Sequence, residues 1–210
     1  HAIARRYAEQ GEQAGGDAET VIMILDAVLD AGIAVDDALI DKLVAHHEHV
    51  DAGRAAALLM MRADRSTTKK GKIAALTALS KVTLSAAGRS AGLDALGPVR
   101  ALALAEPKKA GRWKTLREIA GEDRTGDALS TVMTAHEETN EGDTTARHNL
   151  LLVASNIAES ANDLESAASY VRMALDEADR PKSRNRMHAL LERQGSFGEL
   201  AIDLEEQAEM

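Results

Sequence analysis

The chain is expected to fold as an all-α solenoid of about six antiparallel helix pairs, and three observations carry that expectation. Apolar residues recur at helical spacing along nearly the whole length. Short cap residues recur every 33 to 39 positions. No stretch alternates apolar with polar residues as a half-buried strand would.

The helical period places twelve helices, roughly at 2–13, 17–31, 36–49, 51–64, 67–86, 91–106, 110–121, 127–139, 144–161, 163–179, 183–194 and 197–209. In the second, Val21, Ile24, Leu25, Val28 and Leu29 form one stripe; in the fifth, Ile73, Leu76, Leu79 and Val82; in the tenth, Leu164, Ala167, Val171, Ala174, Leu175 and Ala178. Each stripe gives its helix one face to bury. The second helix of each pair is expected to start at Asp17, Asp51, Ser90, Asp127, Asp163 or Ser196, whose side-chain oxygens suit the orphan amides of a first turn. Ser196 and Glu199 have capping-box spacing. Gly16 and Gly126 stand where a left-handed turn residue is useful. Gly97-Pro98 is expected to interrupt the helix over 91–106. A small or modest apolar residue follows four positions after most of the caps, at Val21, Ala55, Thr131, Ala167 and Leu200, which lets neighbouring helices approach closely. One such pair cannot bury its apolar face alone, so successive pairs must stack.

Composition narrows the function. Hydrophobic residues make up 45% of the 210, enough for a sizeable core, yet aromatics are only 2%. The core must therefore be built from Ala, Leu, Val, Ile and Met, with Met60, Met61 and Met187 as fillers. Trp113 is expected to anchor packing, with its N–H reaching a partner or the rim. The net charge of −9 disfavours nucleic acid, whose phosphates need a dense basic surface. No apolar run approaches the ~20 residues a membrane span requires, so no membrane insertion is expected. Cysteine is absent, which removes disulfides and thiolate metal ligands. No signal peptide is visible, and a cytoplasmic location is expected. The chain opens on His1 rather than Met, and Glu205 to Met210 read as the middle of a helix, so a fragment of a longer array is expected.

Chemistry-bearing clusters are few. His46-His47-Glu48-His49 with Asp51 holds metal-binding side chains but lacks the His-Glu-x-x-His spacing, and no metal site is assigned. Lys69-Lys70-Gly71-Lys72 resembles part of a phosphate loop, but position 66 is Ser66 and no strand precedes it. It reads as a solvated helix start. No nucleophile elbow is present, and neither a catalytic residue nor a cofactor is expected.

The segment 151–181 carries the most specific pattern. Leu151, Ala154, Ser155 and Ala158 are followed by the turn Asn162-Asp163, then by Ala167, Val171 and Ala174, then by Pro181. This resembles the tetratricopeptide repeat, as do Gly195-Ser196-Phe197-Gly198-Glu199-Leu200 and the upstream set Trp113, Leu116, Ala120, Leu129 and Met133. The resemblance covers roughly 110–210; the unit 36–65 also resembles a pentatricopeptide repeat through Ala38-Leu39-Ile40-Asp41. It implies a right-handed superhelix whose first helices line a concave groove for a protein or peptide partner. Carried over residue by residue, the implied partner-binding positions are Lys114, Asn149, Leu152, Asn156, Lys182, Asn185 and Arg186, with Glu118, Glu159 and Arg193 on the same faces. Asn can both donate to and accept from a peptide backbone, and Lys or Arg suits a carboxylate. The implied function is a protein–protein interaction scaffold rather than an enzyme; the alternative is a sensor module that takes a small molecule or signalling peptide in the groove. The set of clamp residues that some relatives use for a C-terminal carboxylate is incomplete here.

Overall fold

A computed structural model describes Arg6 and residues 18–33 and 35–209. Among these residues there are twelve helices and no strand: α1 (Ala18–Asp30), α2 (Asp37–Val50), α3 (Ala52–Arg65), α4 (Lys69–Leu84), α5 (Ala86–Ser90), α6 (Leu96–Ala105), α7 (Ala110–Ala120), α8 (Thr125–Glu138), α9 (Thr144–Ser160), α10 (Leu164–Glu177), α11 (Pro181–Gln194) and α12 (Phe197–Glu209). The chain forms two compact units, His1–Leu102 and Ala103–Met210. The expected helix at 2–13 and the Asp17 cap with Gly16 lie outside the described residues, apart from Arg6, which is helical.

Local chemistry starts and stops these helices. Asp36, Asp51, Thr68, Ser85, Asp143 and Asp163 each accept the amide hydrogen three residues ahead, satisfying an orphan donor of the first turn. Such a cap contributes about 1 kcal/mol. Helix ends use left-handed residues: Gly32, Gly92 and Gly195 have φ of 75°, 69° and 75°, and Asn162 has 60°. At Asn162 the following amide, that of Asp163, reaches back to the Ala158 carbonyl at 3.0 Å; at Gly195 the Ser196 amide reaches the Leu191 carbonyl at 2.9 Å. These are Schellman closures, and they turn the chain directly into the next helix.

Several expectations are corrected. Ser90 is the last residue of α5 rather than a cap, because Ser85 breaks the expected helix 67–86 and caps a short extra one. Asp127 sits inside the first turn of α8 and pairs with Arg124; the cap position belongs to Arg124. Gly126 is helical and does not turn left. Gly97-Pro98 opens α6 instead of breaking it, since a first-turn residue needs no amide donor. Ser196 starts α12, but its hydroxyl donates to Gln194, and Glu199 pairs with Arg172 instead of closing a capping box. In α8 the buried stripe is Ala128, Val132 and Ala135, while Leu129 and Met133 are half-buried. Met60 is exposed, whereas Met61 is half-buried against the core and Met187 lies within it.

In each unit consecutive helices are the main packing partners. The first unit buries Val21, Leu25, Val28, Leu29, Val35, Leu39, Ile40, Leu43 and Leu58 together. The second buries Ala158, Ala167, Ala168, Val171, Met187, Leu190 and Leu191 around the α9–α10–α11 junction. All seven helical positions of the 151–174 pattern, Leu151, Ala154, Ser155, Ala158, Ala167, Val171 and Ala174, are at most 1% exposed. Alanines at these places let helix backbones come close, and a larger side chain there costs about 1–3 kcal/mol of overpacking.

One close approach is stricter. A Cβ on Gly88 would lie 2.2 Å from the Val82 carbonyl oxygen and 2.9 Å from that of Thr83, both backbone atoms. Gly88→Ala is therefore expected to destabilise the protein by about 1–3 kcal/mol. Gly126→Ala meets nothing within 4 Å in a helix and is expected to be neutral or to stabilise by up to about 1 kcal/mol. Urea unfolding of the two variants beside the parent checks this; similar midpoints for both would remove the steric account.

Candidate functional site

Within the second unit, α7 and α9 stand on either side of a cleft of about 400 Å³. Pro107, Ala110 and Trp113 form one wall; Ala146, Asn149, Leu150, Leu152, Val153 and Asn156 form the other. The sequence makes the second wall directly. Asp143 caps α9, so the helix begins at Thr144 and turns residues 149, 152, 153 and 156 to one side, opposite the buried Leu151, Ala154 and Ala158. The first wall rests on Trp113, 3% exposed, whose indole N–H donates to the Pro107 carbonyl at 2.7 Å. That bond fixes the loop before α7 and satisfies the ring's only polar atom. At one end of the cleft Lys108 pairs with Asp143 at 2.8 Å, which holds the Asp143 carboxyl below the usual carboxylate range, with the Ala146 amide adding to the effect.

The cleft runs on into a smaller hollow of about 230 Å³, lined by Ala110, Trp113, Lys114, Arg117, Val153, Asn156 and Ile157. Four of the expected binding residues, Lys114, Asn149, Leu152 and Asn156, therefore share one continuous depression. Among the described residues neither Asn149 nor Asn156 has a side-chain partner. Lys114 makes only a loose pair with Glu118, at 3.8 Å between two well-exposed side chains.

The remaining expected residues lie elsewhere. Lys182 and Asn185 are exposed on α11, with no side-chain partner among the described residues. Arg186 is engaged: its guanidinium donates to Ser155 at 3.2 Å and to Glu159 at 2.8 Å, and Arg193 closes on the same carboxylate. This group fastens α11 to α9. Among the other residues that line the depression, Arg117 and Val153 stand outside the expected set. Arg117 stands four residues after Trp113, where the 151–181 pattern has the small Ser155 four residues after Leu151, and that departure is the available signal.

Polar bridges hold the α8–α11 frame in register. His148 is 1% exposed; its Nδ1–H donates to the Ala174 carbonyl at 2.7 Å, which leaves Nε2 to accept from the Ser183 hydroxyl at 3.0 Å. Arg147 and His136 meet on Glu177 at 2.7 and 3.2 Å. The Arg147 guanidinium holds the Glu177 carboxyl below its ordinary value, with a smaller contribution from His136.

In the first unit a comparable hollow of about 490 Å³ lies between α2 and α4, lined by Val44, Glu48, Leu59, Ala74, Thr77, Ala78, Lys81 and Val82. The two other sequence clusters have structural roles. His47 Nε2 lies 2.6 Å from Asp26, which also receives Arg54, and no three metal-binding side chains converge among the described residues. The Gly71 amide is taken by the Thr68 hydroxyl that caps α4.

No protein-family model matches the chain, and no curated protein matches it in sequence.

The Glu177 pairing has a pH signature. Because its folded pKa is depressed, the stability it contributes is present above the ordinary carboxyl value of about 4.3 and is lost as pH falls through the lower folded value. Arg147→Gln is expected to lower the unfolding midpoint at neutral pH, with the gap to the parent closing below about pH 4. A gap that stays constant into acid would mean that Arg147 acts through packing alone.

Proposed function

We propose that this protein is an interaction scaffold built on a tetratricopeptide-like array, which holds an extended segment of a partner protein in the α7/α9 cleft. The observation that carries the reading is the wall of α9: Asn149 and Asn156 face an apolar-lined depression with no partners of their own. They lie seven residues apart, about 10 Å along a helix. An extended chain rises about 3.3 Å per residue, so the two amides match positions about three residues apart on a bound strand. Each amide donates and accepts, as a strand's backbone groups require. The apolar floor of Trp113, Leu150, Leu152 and Val153 supplies the remaining attraction by removing a side chain from water.

Two further observations support an array of helix pairs. The seven core positions of the 151–174 pattern are buried together, and α8 repeats the same Ala-x₃-Val-x₂-Ala spacing at Ala128, Val132 and Ala135. In each unit a hollow lies between alternate helices, α2 with α4 and α7 with α9, the first helices of their expected pairs, and the second unit has a further hollow of about 750 Å³ lined by α10, α11 and α12. Within each unit taken by itself, a tetratricopeptide-like stacking of helix pairs would place these helices on one side. The role assigned is holding a partner; no catalytic step is assigned to any residue.

The test is capture of a partner and comparison of two double variants. Asn149→Ala with Asn156→Ala removes the hydrogen-bonding wall, and each bond contributes about 0.5–1.5 kcal/mol, so affinity is expected to fall about tenfold or more. Lys182→Ala with Asn185→Ala changes α11 outside the cleft and is expected to leave affinity within about twofold of the parent. The opposite ranking in a titration with the purified partner would place the binding face on α11 and sink the cleft reading.

A further inference from the structure

The charge of the depression specifies its occupant more closely, provided that the cleft is the binding face. The chain carries a net charge of −9, yet the walls of the cleft and its hollow carry Lys108, Lys114 and Arg117 against Asp143 alone. Lys108 and Asp143 cancel each other. Lys114 and Arg117 remain, both at the hollow that Asn156 also lines.

Arg117 is the more telling of the two. Among the described residues it is the one arginine of the second unit with no side-chain hydrogen bond or ion pair. Arg112, Arg124, Arg147, Arg172, Arg180, Arg184, Arg186 and Arg193 all have partners. Arg117 is nevertheless half-buried, beside Trp113, Val153 and Ile157. A guanidinium partly withdrawn from water with no counter-charge is costly, and a carboxylate placed on its planar fork makes two parallel charge-assisted bonds. Glu118, the next residue in the chain, is well exposed and only loosely joined to Lys114. Glu159, one turn beyond Asn156, is already occupied by Arg186 and Arg193.

The geometry points to an acidic peptide as the occupant, with one apolar side chain seated on Trp113, Leu150 and Leu152 and an aspartate or glutamate side chain on Arg117. Leu150 and Leu152 line the cleft with Asn149, and Lys114 and Arg117 line the hollow that begins at Asn156, with Trp113 between the two. The distance between the two asparagines therefore sets the separation of anchor and acid at about three residues of extended chain.

The experiment is fluorescence polarisation with three labelled synthetic peptides. Each has a leucine and, three residues away, a glutamate, a glutamine or a lysine. The glutamate peptide is expected to bind about tenfold or more tightly than the glutamine peptide at low salt, and the lysine peptide most weakly. Added salt is expected to narrow the gap between the glutamate and glutamine peptides. Arg117→Gln breaks no internal hydrogen bond or ion pair and removes a half-buried unanswered charge, so its unfolding midpoint should equal or exceed that of the parent while the glutamate preference disappears; Arg117→Lys should retain part of that preference. Equal binding of the glutamate and glutamine peptides, or a preference that survives Arg117→Gln, overturns the acidic assignment. Failure of all three peptides to bind overturns it too. In either case, the scaffold reading stands if a captured partner still depends on Asn149 and Asn156. A partner or peptide that binds the Asn149→Ala, Asn156→Ala variant as tightly as the parent removes the cleft reading itself.

Discussion

Close approach of helix to helix is the constraint on which the second unit depends. With one Trp, two Tyr and one Phe in 210 residues, few rings are available to bridge a wide gap between elements. Burial has to come from small and branched side chains, and these fill space only when backbones come near each other. The α9–α10 junction meets that demand with Ala154, Ala158, Ala167, Ala168 and Ala174, all buried, around Leu151 and Val171. Each alanine adds little apolar area by itself. What it supplies is the separation at which its larger neighbours make full contact. The same logic reaches its limit at Gly88, where not even a methyl group fits.

Surfaces this smooth slide easily, since an alanine-rich face has few knobs to fix register. The polar bridges answer that problem. His148 reaches the carbonyl of Ala174 and the hydroxyl of Ser183, so one ring joins α9 to both α10 and α11. Arg186 reaches back from α11 to Ser155 and Glu159 on α9, and Arg147 with His136 ties α9 and α8 to Glu177 on α10. A buried polar group is costly unless satisfied, so these contacts penalise every register but one. Their role is selection more than net stabilisation, because much of the hydrogen-bond energy is offset by lost hydration. The wall of the cleft inherits its precision from them: Asn149 directly follows His148, and Asn156 directly follows Ser155.

The helices were legible where local chemistry and period agree. Val21 to Leu29, Ala167 to Ala174 and the turns at Asn162 and Gly195 follow from spacing and caps alone. Boundaries slipped where a cap residue had a competing use. Asp127 serves an ion pair with Arg124, and Ser85 halts a helix whose apolar period continues through it. The stripe of α8 was displaced because the larger Leu129 and Met133 drew the reading away from Ala128, Val132 and Ala135, and size is a poor guide in a core made of alanine. Of the site, the α9 face was readable, since a helix presents residues 149, 152 and 156 together whatever its neighbours are. The opposing wall was not, because only packing brings Trp113 and Arg117 up to Val153 and Asn156.

Two half-buried arginines of the second unit have opposite surroundings. On sequence grounds Arg186 and Arg117 are alike, each a cation on the first helix of a pair. Arg186 spends its donors on Ser155 and Glu159, and its charge is answered within the fold. Arg117 lies among apolar side chains with its donors unanswered by any described residue. Folding alone gives no reason for such a group to be half out of water, since a neutral side chain would lose less hydration there. Its retention beside two unpartnered asparagines and an apolar floor is coherent when the missing counter-charge arrives with a ligand. The stability forgone in the free protein then returns as binding energy, and it returns selectively, because only a partner carrying an acid at the matching distance from an apolar side chain can supply it.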